Sequence, residues 1–144
     1  MNRVEALTRP ECLRLLGQCT LGRVAYTERA LPAIRAVTYA LVGQHLLLRT
    51  SSDGLGRRLD GQVVAFEVDD MDADLVRGWS VVVTGTARLV SAPADLVRYD
   101  AVRLMALDGA GHDDRVCITP GEITGRRLVS AYAAGLSFRG VSAS

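Results

Sequence analysis

One stretch decides the fold of this chain: Gly78-Trp79-Ser80-Val81-Val82-Val83-Thr84-Gly85. Its β-branched run predicts a β-strand, because valine and threonine pack well on a pleated sheet. Trp79 is the only tryptophan among 144 residues, and it stands where this strand begins. A flat indole at the start of a strand can cover a planar ligand or contact a partner subunit. It can equally be an ordinary half-buried side chain, so the role of Trp79 has to be judged from the other segments.

The overall composition is that of a single soluble domain. Hydrophobic residues make up 49% of the chain and charged residues 23%, with a formal net charge of +1. This charge is too small to attract nucleic acid or an anionic membrane. The aromatic content of 5% also offers little surface for stacking bases. No apolar run approaches the roughly 18 residues of a membrane-spanning helix. The sequence therefore predicts neither nucleic acid nor membrane as a partner.

Cysteine usage and the N-terminus predict a cytoplasmic protein. Cys12, Cys19 and Cys117 are odd in number and lack the spacing of a zinc site or a CxxC redox motif. Reduced thiols of this kind are typical of the cytoplasm. The first residues also lack the apolar run of a secretory signal.

Turn residues divide the chain into short segments. Thr8 and Glu11 form a capping box, which predicts a helix that ends at Gly17. The short, glycine-containing segment 42–44 predicts a hairpin. Hydrophobic patterning predicts a short helix and a series of strands. The helix is 57–60, and the strands are 23–27, 33–41, 45–50, 63–69, 79–90 as the longest, and one or two more within 116–129.

A further helix is predicted to begin near Pro93. Its apolar residues recur three and four positions apart, which indicates a face that packs on the sheet. These residues are Leu96, Val97, Ala101, Leu104 and Met105. Residues 109–114 are expected to form a loop, and residues 130–144 a tail that is flexible or packs on a partner.

These elements predict a mainly β fold in one domain, 1–144, with a core of about 8–129. Five to seven short strands joined by hairpins favour an antiparallel closed barrel. Parallel winding is disfavoured, because it needs helical crossovers between strands. Closure also removes the sheet edges that apolar strands would otherwise expose.

Familiar catalytic motifs are missing from the sequence. Neither His45 nor His112 has the spacing of a metal ligand or belongs to a catalytic triad. The acidic stretch 69–74 lacks the glycine and the closing glutamate of a calcium loop. We therefore predict no metal and name no catalytic residue.

A basic turn is the strongest candidate for a binding site. Arg49, Thr50 and Ser51 end a strand and lead through a glycine-rich turn to Arg57 and Arg58. Guanidinium groups, hydroxyls and exposed backbone amides are the donors that a phosphate monoester requires. The alternative is a solvated turn whose arginines point into water.

Several motifs in order carry a resemblance to a known family. The chain resembles the pyridoxamine 5′-phosphate oxidase-like FMN-binding split-barrel superfamily, in a short actinobacterial-type branch, over residues 8–129. The motifs are the capped helix, Leu21-Gly22-Arg23-Val24-Ala25-Tyr26, Ala36-Val37-Thr38-Tyr39-Ala40, Leu48-Arg49-Thr50, Val64-Ala65-Phe66-Glu67-Val68-Asp69, the Trp79 strand and Ile123-Thr124-Gly125-Arg126-Arg127-Leu128.

The resemblance implies a six-stranded split β-barrel that forms a homodimer, with FMN or deazaflavin F420 at the subunit interface. It implies that Arg49, Thr50 and Ser51 bind the cofactor phosphate. In such proteins a lysine is common in the phosphate turn, but Gly54-Leu55-Gly56 has none here. Arg57 or Arg58 is the candidate substitute, although arginine and lysine are not equivalent donors.

The resemblance also implies the contacts of the flavin ring. Val37, Thr38 and Tyr39 would run along the ring, while Trp79 and Ser80 would reach the flavin bound by the other subunit. The expected function is that of a flavin-dependent oxidoreductase of a small molecule. The alternatives are a dimer that uses F420, a non-catalytic ligand-binding or interaction module, and a haem protein with His45 or His112 as the axial ligand.

Overall fold

A computed structural model of the protein describes residues 2–51, 53–74, 77–107 and 113–130. Within these residues the chain forms seven strands and three short helices. In chain order they are β1 (Asn2–Ala6), α1 (Arg9–Leu16), β2 (Leu21–Glu28), β3 (Leu31–Val42), β4 (His45–Thr50), α2 (Leu55–Leu59), β5 (Val63–Met71), β6 (Arg77–Leu89), α3 (Pro93–Asp100) and β7 (Asp114–Ser130).

Six of the strands close into an antiparallel ring. The order around the ring is β7-β4-β3-β2-β5-β6, and β6 pairs back with β7. This confirms the predicted mainly β barrel. The seventh strand, β1, lies outside the ring and pairs only with the end of β7, from Ala6 opposite Arg126 to Asn2 opposite Ser130. The sequence did not predict β1, because its one large apolar residue, Val4, is exposed and gives no alternating pattern.

The last strand is longer than predicted. β7 has 17 residues against 13 in β6, so the prediction that 79–90 is the longest strand was wrong. Pro120 and Gly121 interrupt the apolar pattern, yet pairing with β6 continues across them through an irregularity at Thr84 and Gly85. A side chain at Gly85 would collide with the carbonyl oxygen of Thr119, so the two backbones can approach here only at a glycine.

Two local predictions are confirmed in detail. Thr8 caps α1: its side chain accepts from the Glu11 amide, and the Glu11 carboxylate accepts from the Thr8 amide at 2.7 Å. β3 and β4 pair as a hairpin in which Val42 lies opposite His45. The short helix after β4 begins two residues before the predicted position, at Leu55.

The core lies inside the ring, under α1. Tyr39 and Phe66 are its largest fully buried side chains, and their rings meet edge to face with centroids 5.0 Å apart. The Tyr39 hydroxyl donates to the carbonyl of Leu16, in the last turn of α1, at 2.6 Å. This hydrogen bond joins the helix to the barrel.

The prediction for the third helix was wrong in its packing. α3 ends at Asp100 and buries none of its residues. Of the five apolar residues assigned to its packed face, only Leu104 is buried, and it lies beyond the helix. After Asp100 the chain is no longer helical, so the three- and four-residue spacing does not place these side chains on one face. Instead, the segment that follows α3, residues 101–107, contacts the strands through its backbone carbonyls. No helix in the described parts of the chain is long and apolar enough to cross a membrane.

Candidate functional site

The candidate site lies on the outer surface of the ring, at the end of β4. Side chains alternate between the faces of a strand. Leu48 and Thr50 point into the core and are almost fully buried, so Arg49 between them faces outward. Its side chain is nevertheless only 24% exposed, because the segment that follows α3 lies over it.

A pocket of about 100 Å³ opens beside this arginine. It brings together three of the phosphate residues predicted from the sequence, Arg49, Thr50 and Ser51, and part of the predicted ring contact. Its lining includes Arg35, Val37, Arg49, Thr50, Ser51 and Asp113. The donors are guanidinium and hydroxyl groups, which bind anions. Within the described residues, no group of three or more histidine, cysteine or carboxylate side chains is placed to hold a metal ion.

The chain's own acceptors engage several donors of this site. The Thr50 hydroxyl donates to the carbonyl of Asp114 at 3.3 Å. Arg49 forms an ion pair with Asp113 through its Nε, and its NH1 donates to the carbonyl of Leu104 at 2.6 Å. Thr38 lies opposite Arg49 on β3, and its hydroxyl donates to the carbonyl of Met105 at 2.6 Å. A ligand that takes Arg49 therefore has to compete with groups of the segment beyond α3.

A second carboxylate is held at the rim of the same pocket. Asp53 accepts from the Ser51 hydroxyl at 3.1 Å and from the Leu55 amide at 3.2 Å, and it forms an ion pair with Arg35. The guanidinium of Arg35 holds the pKa of the Asp53 carboxyl below its usual value. Asp53 thus takes up hydrogen bonds that a phosphate in this loop would use.

Val37 and Tyr39 both have their side chains in the core, 2% and 1% exposed. Burial raises the pKa of the Tyr39 hydroxyl above the usual value. The hydroxyl is occupied by Leu16. Among the predicted ring contacts, Val37 lines the pocket, whereas Tyr39 contributes only backbone to this part of the sheet.

The two arginines of α2 lie away from the pocket lining. Arg57 is exposed, and Arg58 forms an ion pair with Glu28 at 3.1 Å. The missing lysine also has a structural explanation. A Cβ at Gly56 would come within 2.7 Å of the Asp114 Cβ, so β7 leaves no room for a side chain there.

Trp79 and Ser80 lie elsewhere on the barrel. Trp79 is partly buried against the core, on β6, opposite Asp70 and Arg127. Neither residue lines the pocket beside Arg49. A contact between this indole and a ligand in that pocket therefore needs a second protomer. His45 is exposed at the β3–β4 turn, and His112 lies outside the described residues.

Sequence reasoning missed four charged residues around the site: Arg35, Asp53, Asp113 and Arg115. Arg115 donates to Asp113 at 2.8 Å and lies directly opposite Arg49 across β4 and β7. The only signal in the sequence was a charged side chain inside or beside an otherwise apolar strand. Such a side chain does not indicate which other strand will pair beside it.

The fold and the site together define a class: a closed split β-barrel that presents an arginine-and-hydroxyl pocket on its outer surface. The sequence matches the family model of pyridoxamine 5′-phosphate oxidase over residues 8–127. This chain belongs to that family.

Relatives agree with this assignment. The chain is 41% identical over 135 residues to "Uncharacterized protein Rv0080" of Mycobacterium tuberculosis, across 90% of this chain and 88% of that protein. A structure of "the FAD binding protein" from Mycobacterium smegmatis is 32% identical with a TM-score of 0.72, covering 85% of this chain and 96% of its own. A putative pyridoxamine 5′-phosphate oxidase from Corynebacterium glutamicum is 28% identical with a TM-score of 0.76, covering 89% and 95%.

Proposed function

We propose that this protein is a flavin-binding oxidoreductase of a small molecule, with FMN held at the interface of a homodimer. The observation that carries the proposal is the pocket in which Arg49, Thr50 and Ser51 meet. Its donors suit a phosphate monoester. The Mycobacterium smegmatis relative, described as an FAD-binding protein, supports a flavin as the ligand class.

The size of the pocket supports a shared site. Pockets for small ligands are usually about 300–1,000 Å³, whereas one chain offers about 100 Å³ here. One protomer would therefore hold the phosphate end, and a second protomer would complete the space for the ring. In this arrangement Trp79 and Ser80 of the partner subunit would supply the missing wall.

Exposed apolar side chains also support a dimer. Large hydrophobic residues lie on the surface of β3, of β5 and of the segment beyond α3, and several are more than 60% exposed. These residues are Leu31, Ile34, Val63, Met105 and Leu107. A dimer interface would cover them where they form a contiguous patch.

When bound, the flavin supplies the hydride and electron chemistry, and the protein supplies binding and orientation. Arg49 would pair with the phosphate and the Ser51 hydroxyl would donate to it, whereas the Thr50 hydroxyl points into the core and donates to the Asp114 carbonyl at 3.3 Å. Val37, which lines the pocket, would lie next to the flavin ring. The β3 backbone from Val37 to Tyr39 would run along the ring.

Flavin titration tests the proposal. FMN, FAD and F420 are added to the purified protein, and binding is followed by flavin fluorescence. We expect FMN to bind with a Kd below about 100 µM, a free energy near −5.5 kcal/mol. Arg49→Ala is expected to weaken FMN by about 1.5–3 kcal/mol, the scale of a hydrogen bond to a charged group. Arg88→Ala, which removes an exposed arginine on β6, is the control.

Two results would reject the proposal: no flavin that binds in this range, or a protein that is monomeric by light scattering. A result for FAD or F420 alone would replace the cofactor and keep the site. Equal losses of folding and binding in Arg49→Ala would assign Arg49 a structural role.

A second candidate function follows from the occupied donors. Because Asp113 and Leu104 already engage Arg49, and Gly56 excludes a lysine, the barrel is also suited to a non-catalytic dimer that binds another ligand. A stable dimer that binds none of the three flavins would favour this function.

A further inference from the structure

A pair of arginines faces one another across β4 and β7. The register places Arg49 directly opposite Arg115. Side chains in this relation have Cβ atoms about 4.5–5.5 Å apart, and like charges there destabilise the sheet. Something negative has to lie between them for the pairing to be stable.

Asp113 supplies that negative charge. Its Oδ1 accepts from NH1 of Arg115 at 2.8 Å, and its Oδ2 accepts from Nε of Arg49. The three side chains are between 14% and 24% exposed. One carboxylate faces two guanidinium groups, so these three largely buried side chains together carry a net charge of +1.

The cluster also has a spare donor. The Nε of Arg115 is buried and has no hydrogen-bond partner within the described parts of the chain. A buried donor without an acceptor costs free energy, commonly about 1–3 kcal/mol. An anion with more charge and more oxygens than a carboxylate would satisfy both deficits. A phosphate monoester, with about −1.5 to −2 charges and three terminal oxygens, has these properties.

We propose that Arg115, which pairs with Asp113 and does not itself line the pocket, is a second phosphate-binding residue of the site, and that Asp113 is an internal anion which the ligand's phosphate displaces. The proposal rests on the function proposed above and adds a residue and an exchange step to it. It also accounts for the turn without lysine: the second cation comes from β7 instead of α2.

The backbone favours this exchange. Arg49 and Arg115 both lie within the β4–β7 ladder, so their positions are fixed by strand pairing. Asp113 precedes β7, which begins at Asp114, and has no partner in the ladder. The carboxylate can therefore leave without breaking strand pairing, while the two arginines stay in place.

The test compares ligands that differ only in the phosphate. Dissociation constants of riboflavin and FMN are measured for the wild-type protein and for Arg115→Ala, Arg115→Lys and Asp113→Asn. The ratio of the riboflavin Kd to the FMN Kd isolates the contribution of the phosphate. Arg88→Ala is the matched control, because it removes an exposed arginine on β6 opposite Cys117.

The two kinds of variant should change this ratio in opposite directions. We expect Arg115→Ala to lower it about tenfold, the scale of a lost charge-assisted hydrogen bond. Arg115→Lys should give an intermediate value, since lysine keeps the charge and loses the fork. Asp113→Asn should raise the ratio, because the competing charge is gone. A ratio unchanged in Arg115→Ala, or lowered in Asp113→Asn, overturns the proposal.

Inorganic phosphate separates this inference from the proposed function. If no flavin binds, thermal unfolding is measured with and without phosphate. A larger rise of Tm in Asp113→Asn than in the wild type, and none in Arg115→Ala, would support the anion site while the flavin function fails. Equal shifts in all variants would overturn the inference.

Discussion

Replacing Tyr39 with phenylalanine removes one oxygen and tests a single buried hydrogen bond. The hydroxyl donates to the Leu16 carbonyl at 2.6 Å and is shielded from water. A typical hydrogen bond contributes about 0.5–1.5 kcal/mol, and leaving a buried acceptor unpaired adds to the loss. In the variant the Leu16 carbonyl would still accept a long hydrogen bond from the Cys19 amide at 3.5 Å, so the cost of an unpaired carbonyl is reduced. We therefore expect Tyr39→Phe to lower the free energy of unfolding by about 1–2 kcal/mol.

Urea unfolding, followed by the fluorescence of Trp79, measures this change. The midpoint should fall with an unchanged m-value, because the surface exposed on unfolding is the same. Tyr26→Phe is the matched control: Tyr26 is also buried, and its hydroxyl makes no hydrogen bond to the described residues. It should change stability by less than about 0.5 kcal/mol.

Flavin affinity decides what Tyr39 does. If its hydroxyl serves the core, Tyr39→Phe should leave the Kd of FMN within about twofold, well under the 1.4 kcal/mol of a tenfold change. An unchanged unfolding midpoint together with a tenfold weaker FMN would refute the reasoning and return Tyr39 to the flavin contacts predicted from the sequence.

Two further perturbations test barrel closure and the charge on its outer surface. Gly85→Ala should destabilise the protein by about 1–3 kcal/mol or more, because the backbone of β7 blocks the new methyl group. Gly17→Ala is the control, since the nearest atom is 3.6 Å from the added Cβ. In the same urea assay it should change the free energy of unfolding by less than about 0.5 kcal/mol. Burial and the neighbouring Asp69 raise the pKa of Glu67 from 4.5 to about 7. The folded state then binds more protons than the unfolded state between these values, so stability should fall as pH rises from 4.5 to about 7. Glu67→Gln should flatten this dependence, and an equally steep profile in the variant would contradict the assignment.

Most of the ring was predictable because its signals are local. Alternating side chains and glycine-containing turns identified β2 to β6 within a few residues, since each strand carries its own pattern. β1 and β7 were harder for a physical reason. β1 gains its stability from ladder hydrogen bonds at residues 126–130 rather than from buried side chains. β7 spans Pro120 only because Gly85, on the neighbouring strand, makes room for it.

The same distinction between local and long-range signals applies to the residues of the candidate site. Arg49, Thr50 and Ser51 are consecutive, so their meeting in one pocket could be predicted from the sequence. Asp113 and Arg115 join them through the pairing of β4 with β7, more than 60 residues apart in the chain. Register between distant strands depends on the whole sheet, and no short stretch of sequence reports it.

Barrel closure and ligand binding are therefore linked through one strand. β7 pairs with β6 to close the ring, and its first residues pair with β4 beside the anion pocket. The donors on these strands are held in place before a ligand arrives, so ordering them costs little free energy on binding. The groups that engage them, Leu104, Met105 and Asp113, all lie outside the strands. The free energy of breaking the contacts of Leu104, Met105 and Asp113, rather than that of forming the pocket, should set the affinity, and variants that weaken these contacts should tighten phosphate binding without loosening the barrel.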